Sequence, residues 1–118
     1  MHSTDPEQLN RTFLALADPT RRAILGRLAA GEATVSELMA PFALSQPTIS
    51  KHLKVLEQAG LIEQGRDAQR RPRRLAPAAL DDAGRWIDDF HTQWAARFDR
   101  LETHLAARRA AKKKSKDA

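Results

Sequence analysis

Residues 44–61 read LSQPTISKHLKVLEQAGL. Ser45 is a good N-cap, because its hydroxyl can accept a backbone N–H one turn further on. Pro47 sits in the first turn, where a missing donor costs least. Gly60 closes a run of helix formers at the place of a left-handed C-terminal cap. These start and stop signals bracket a helix of about 14 residues, roughly four turns. At about 100° per residue Ile49, Leu53 and Leu56 share one narrow stripe. Pro47, Thr48, Ser50, Lys51 and Lys54 fall on the far side, with no acid before Glu57. A short, polar, cationic face of this kind suits an anion that also carries hydrogen-bonding edges, as the DNA major groove does. Taken alone, the same pattern also describes an ordinary amphipathic surface helix. The neighbouring segments decide between the two.

Upstream, Asp5-Pro6-Glu7 is a cap followed by a helix start, and Leu9, Phe13, Leu14, Leu16 and Ala17 give that helix its apolar side. Asp18-Pro19 repeats the signal at once, so a second helix with Ala23, Ile24 and Leu28 inward begins after a sharp corner. Ser36 is expected to cap a short third helix carrying Leu38 and Met39, stopped by Pro41. Two short helices about five residues apart, the second longer and capped by Ser45, make a helix-turn-helix.

After Gly60 the pattern becomes extended. Residues 61–66 and 73–75 are expected to pair as a hairpin with Asp67-Ala68-Gln69-Arg70 at its tip, and Pro72 fits an edge strand. A helix-turn-helix followed by a basic hairpin is a winged helix. Five arginines fall within nine residues, Arg66, Arg70, Arg71, Arg73 and Arg74. Such charge either protects a small edge or reaches phosphates and the minor groove. Its place directly after a helix of the reading type favours DNA.

The last third is one long helix, from about Ala78 to Arg109. Leu80, Ala83, Ile87, Phe90, Trp94, Phe98, Leu101 and Leu105 follow at steps of three and four. At 1.5 Å per residue it is about 45 Å long, more than so small a domain can cover. The stripe is therefore expected to serve an interface as well as the first helix, with both helices forming a two-fold dimer surface.

Composition sets the remaining bounds. The chain has 118 residues and no cysteine, so one modest domain is expected and neither disulfides nor thiolate metal sites are possible. No apolar run approaches a membrane span and no signal-peptide core opens the chain, which points to the cytoplasm. The formal charge of +5 equals that of residues 108–118 alone, so the other 107 residues are neutral overall. Residues 1–109 are expected to fold, and the basic segment 110–118, poor in apolar residues, is expected to remain a disordered tail.

Residues 9–75 in this order resemble the ArsR/SmtB type of bacterial winged-helix repressor. The matching segments are FLALADPTRRAILGRLAAGEATVSELMAPF, LSQPTISKHLKVLEQAGLIEQGRD and QRRPRRL, and S-x-H-L-x-x-L-x-x-A-G-L is specific in this context. The resemblance implies a homodimer on double-stranded DNA at a short inverted repeat, blocking transcription. It places Gln46, Thr48, Ser50, Lys51 and His52 on or near the reading helix and the wing arginines Arg66, Arg70, Arg71 and Arg73 beside it, and the face count adds Pro47 and Lys54. Leu9, Phe13 and Leu16 of the first helix and Ile87, Phe90, Trp94, Phe98 and Leu101 of the last, read from their apolar stripes, are the residues expected at the dimer interface. The face count agrees for Thr48, Ser50 and Lys51. Gln46 could present its amide to adenine, and Lys51 and Lys54 suit phosphates. His52 projects toward the flank of the buried stripe, where a phosphate contact and an internal hydrogen bond are both open.

Many members of that family sense metals, and this chain departs from them. Thr34-Val35-Ser36-Glu37-Leu38-Met39 replaces the usual cysteine-bearing motif. Asp89 and His91 imitate half of a second family site. However, His104 lies two residues beyond its spacing, and Ala107 stands where a fourth ligand would be needed. Such scattered ligands do not close a tetrahedral shell, so no metal and no cofactor are expected. The competing function is a winged helix used for protein contacts, its basic segments meeting an acidic partner. An enzyme is disfavoured, because Ser50 and His52 are two apart on a helix and do not face each other.

Overall fold

The computed structural model describes residues 5–66 and 69–116, with side chains described to residue 113. Two compact units divide the chain, residues 1–84 and 85–118.

In the first unit α1 (Pro6–Leu16) starts on the Asp5 side chain and α2 (Pro19–Ala29) on that of Asp18, each with proline in its first turn. The corner between them is tied by arginines. Arg21 donates through Nε to the Ala15 carbonyl (2.8 Å) and through Nη2 to that of Leu14 (2.9 Å). Arg22 donates to Leu16 (2.7 Å). Carbonyls at the end of α1, where a helix runs out of its own N–H donors, are thus bonded from the start of α2, that of Leu14 in addition to the Ala17 N–H (3.2 Å). The inward face of α1 differs from the expectation: Thr12 and Ala15 are buried, Leu9, Phe13 and Leu16 are half-buried, and Leu14 and Ala17 are exposed. In α2, Ile24 and Leu28 are buried as expected, whereas Ala23 is exposed.

The third helix, α3 (Val35–Phe42), begins on Thr34 rather than Ser36. The reason is a capping box. Thr34 Oγ1 accepts from the Glu37 N–H (3.2 Å), and the Glu37 carboxylate accepts from the Thr34 N–H (3.2 Å). Pro41 lies inside this helix instead of stopping it, and Ala43, at φ 52° in the left-handed region, ends it. Only three residues then separate it from α4 (Gln46–Gln58), a tighter turn than expected and one typical of the motif. The Thr48 N–H reaches the Ser45 hydroxyl (3.4 Å), and Gly60 takes the left-handed cap at φ 72°.

Strands β1 (Ile62–Gln64) and β2 (Arg73–Leu75) pair antiparallel, with Ile62 opposite Leu75 and Gln64 opposite Arg73. They are shorter than the expected hairpin. Beyond them Gly65 still donates to the Pro72 carbonyl (2.7 Å). Of the expected tip, Asp67 and Ala68 lie outside the described residues. Ala33 exchanges two backbone hydrogen bonds with Arg73 (2.7 and 3.0 Å), so β2 is bonded on both sides. Pro72, with no donor to give, sits just before it. Ile24, Leu28, Leu38, Ile49, Leu53, Leu56, Leu61 and Ile62 form the core of this unit.

The last helix, α5 (Pro77–Lys116), is 40 residues long, about 60 Å at 1.5 Å per residue. Ala79 and Ala83 are buried in the first unit, whereas Leu80 is exposed. The helix does not stop at Arg109. Alanine and lysine are both strong helix formers, so the backbone continues without apolar contacts. No helix is long and apolar enough to cross a membrane among the described residues.

Candidate nucleic-acid interface

Helix α4 has a sharply divided circumference. Ile49, Leu53 and Leu56 are at most 1% exposed and anchor it in the core. Gln46, Pro47, Ser50, Lys51 and Lys54 are all exposed. Thr48 is half-buried, with its Oγ1 2.9 Å from that of Ser45 at the helix start. The one acid on α4, Glu57, turns away from this surface and accepts from Arg73 Nε at 2.6 Å. The outward face therefore presents an amide, hydroxyls and two ammonium groups without an opposing carboxylate.

His52 faces inward of that surface. Its side chain is 20% exposed, and Nδ1 lies 4.0 Å from Asp18 Oδ2. The Asp18 carboxyl is held below the usual carboxylate range chiefly by the backbone N–H of Arg21, which outweighs desolvation, with smaller contributions from the charges of Arg21 and His52. His52 thus lies within ion-pair reach of Asp18 but beyond hydrogen-bond distance of it.

The wing arginines separate into groups. Arg66, Arg70 and Arg71 are exposed around the hairpin, and Arg71 takes a left-handed φ of 49°. Arg74 pairs with Glu63 across the two strands at 2.8 Å, both side chains about half exposed. Arg73 departs from the sequence reading: it is only 13% exposed, its Nε is taken by Glu57, and its Nη1 donates to the Arg71 carbonyl. Its guanidinium fastens the wing to the last turn of α4 and is not presented to a ligand. Glu57 was the residue that sequence reasoning missed, and the signal was its position as the only acid on an otherwise cationic helix. Arg70 lines a cleft with Thr34, Ser36, Glu37 and Gln69 beside the start of α3. The Glu37 carboxyl there is held low chiefly by the Thr34 N–H and hydroxyl, with further help from the charges of Arg27 and Arg70.

The second unit carries the other predicted surface. Ile87, Phe90, Trp94, Phe98, Leu101 and Leu105 are each 40–56% exposed along one stripe. Trp86, Phe90, Trp94 and Phe98 form a ladder at i, i+4 spacing, with ring centroids 5.4, 6.3 and 5.5 Å apart. His91 and His104 are exposed, and no three His, Cys, Asp or Glu side chains converge among the described residues.

Residues 16–65, from the end of α1 to the wing, match a family of helix-turn-helix domains. The transcriptional repressor SdpR of Bacillus subtilis is 38% identical over 82 residues, 70% of this chain and 91% of SdpR. The chain belongs to the ArsR family of winged helix-turn-helix transcriptional regulators. Among solved structures, the crystal structure of an ArsR family transcriptional regulator superposes with a TM-score of 0.72 at 40% identity, covering 80% of this regulator and 97% of that chain. The homodimeric winged helix-turn-helix DNA-binding domain of a possible ArsR-family regulator from Mycobacterium bovis is 27% identical. It covers 80% of this regulator and 91% of that domain, with a TM-score of 0.59.

Proposed function

We propose that this ArsR-family regulator is a homodimeric repressor that binds an inverted-repeat operator in double-stranded DNA and acts in the cytoplasm. The observation that carries this reading is the divided circumference of α4: an apolar stripe fixed in the core, and opposite it an exposed amide, hydroxyl and lysine face with its only acid diverted to Arg73. In this reading Gln46, Thr48 and Ser50 meet base edges at the floor of the major groove. Lys51 and Lys54 bind flanking phosphates and set register. Arg66, Arg70 and Arg71 bind the backbone beside the groove, while Arg73 is a structural tie. Leu9, Phe13 and Leu16 of α1 and Ile87, Phe90, Trp94, Phe98 and Leu101 of α5 meet a second copy. That pairing sets two reading faces about one turn of DNA apart. In this reading the protein is a regulator and not an enzyme, and Ser50 and His52, two apart on one helix, do not form a nucleophile–base pair.

Selection of bound fragments from a random DNA pool tests the reading. An enriched inverted repeat is expected, with affinity for it falling steeply as salt rises. Failure to enrich any sequence, with capture of acidic proteins instead, would establish the winged helix as a protein-contact module.

A further inference from the structure

Among the described residues, side chains from other segments approach α4 besides its apolar stripe. Asp18 approaches His52 in its middle, Arg73 holds Glu57 in its last turn, and Gln8 reaches its end. The last differs from the others in its origin. Gln8 lies on α1, one residue from Leu9, and its Nε2 donates to the Ala59 carbonyl at 2.7 Å across 51 residues of sequence. Ala59 is 1% exposed, so water does not compete readily for that carbonyl. The carbonyls before it have other partners: the N–H groups of Ala59, Leu61 and Gly60 return to Val55, Leu56 and Glu57 at 3.0 Å. The orientation of the Gln8 amide is fixed by its other end, because Oε1 accepts from Arg11 Nη2 at 3.0 Å. With the oxygen occupied by a guanidinium, the nitrogen has to face Ala59.

This contact joins a helix of the proposed dimer surface to the C-terminal end of the helix of the proposed reading face. The burial of an apolar stripe is a non-directional force, oriented only through packing, whereas a hydrogen bond to one carbonyl is itself directional. Gln46 lies about 20 Å from Ala59 at 1.5 Å per residue, so a small tilt at the end of α4 becomes a large displacement at its start. In a dimer both reading helices must fit one DNA duplex at once.

We propose that Gln8 is a positioning residue: it clamps the end of α4 to α1 and so fixes the distance and angle between the two reading helices. It touches no DNA. The inference rests on the homodimer reading above, and it predicts an effect on spacing discrimination rather than on contact strength.

The test uses the full-length Gln8→Leu variant, which keeps the side chain's bulk without a donor, and Gln8→Lys, which restores one. Sedimentation first establishes that wild type and variants are dimers. A wild type that is monomeric or finds no operator would refute the homodimer reading, and the positioning role with it, before any variant is compared. Binding is then measured on the selected operator, on operators with one or two base pairs added or removed between half-sites, and on unrelated DNA of equal length. Gln8→Leu should bind the operator about tenfold more weakly, bind unrelated DNA within twofold of wild type, and lose much of the penalty for altered spacing. Gln8→Lys should recover most of the discrimination. A destabilised but correctly positioned dimer would lose affinity without flattening the spacing profile. If Gln8→Leu keeps the wild-type profile and affinity, or if Gln8→Lys fails to rescue a flattened one, the positioning role is wrong.

Discussion

Two helical stripes written in the same period meet opposite fates in this regulator. On α4, Ile49, Leu53 and Leu56 are closed into the core, at most 1% exposed. On the second unit's part of α5, Ile87 to Leu105 carry larger side chains, yet each remains 40–56% exposed. The difference lies in what surrounds them. The α4 stripe meets apolar side chains of the helices and strands around it, so its residues leave water on folding of one chain. The α5 stripe lies in the second unit, where Trp86, Phe90, Trp94 and Phe98 stack on one another along the helix. Periodicity identifies an apolar face, while exposure tells whether folding of one chain is enough to cover it.

The comparison can be broken first at its buried side. Leu53→Ala should cost about 2–5 kcal/mol of stability, the range for truncating a packed leucine, and lower the denaturation midpoint at every protein concentration. Independence from concentration is the signature of a core within one chain. On the exposed side Trp94→Ala should leave the unfolding of a single protomer almost unchanged. It should weaken association by about 3–5 kcal/mol if the ring is fully packed against a second copy. Sedimentation should show a shift to monomer and binding assays a loss of operator specificity, although every residue facing DNA is intact. A Trp94→Ala protein that stays dimeric and binds normally would show that the stripe serves another partner.

A smaller effect separates the wing arginines. Replacing Arg70 and Arg71 together by alanine should weaken operator and unrelated DNA alike and reduce the salt slope by up to about two units, one for each lost phosphate contact. Arg73→Ala should instead lower thermal stability and leave the slope nearly unchanged, since that guanidinium is held by Glu57.

The smallest expected effect is on pH. Asp18 is held below its ordinary value in the fold, chiefly by the Arg21 N–H. Its carboxylate therefore binds fewer protons folded than unfolded in the acid range. The stabilisation it gives is complete above the ordinary carboxylate value and is lost as pH falls through the lower folded one. Asp18→Asn keeps a capping oxygen, so its stability should fall less steeply over that interval in acid titrations followed by circular dichroism.

Much of the fold was legible because its signals are local. Asp5-Pro6, Asp18-Pro19, Ser45 with Pro47, and Gly60 start or end helices through bonds within a few residues of themselves, and each does so in the structure. The misplaced boundaries arose where two local signals competed. Ser36 was the expected cap, yet α3 starts on Thr34, whose third following residue is the glutamate that answers it, whereas that of Ser36 is Met39. Pro41 was read as a stop, yet α3 carries it and runs on to Phe42.

The sequence by itself determined the helix-turn-helix, the basic hairpin and the apolar stripes, because hydrogen-bond capping, side-chain volume and helical period act over one or two turns. Tertiary structure decided which charges remain available. Arg73 and Arg71 are two residues apart and chemically identical, yet one is half-buried and paired with Glu57 while the other is exposed. His52 is drawn to Asp18, and Gln8 to Ala59 across half the chain. A side chain's partner depends on which distant segment the packed core brings within hydrogen-bond reach, and no spacing along the chain encodes that distance.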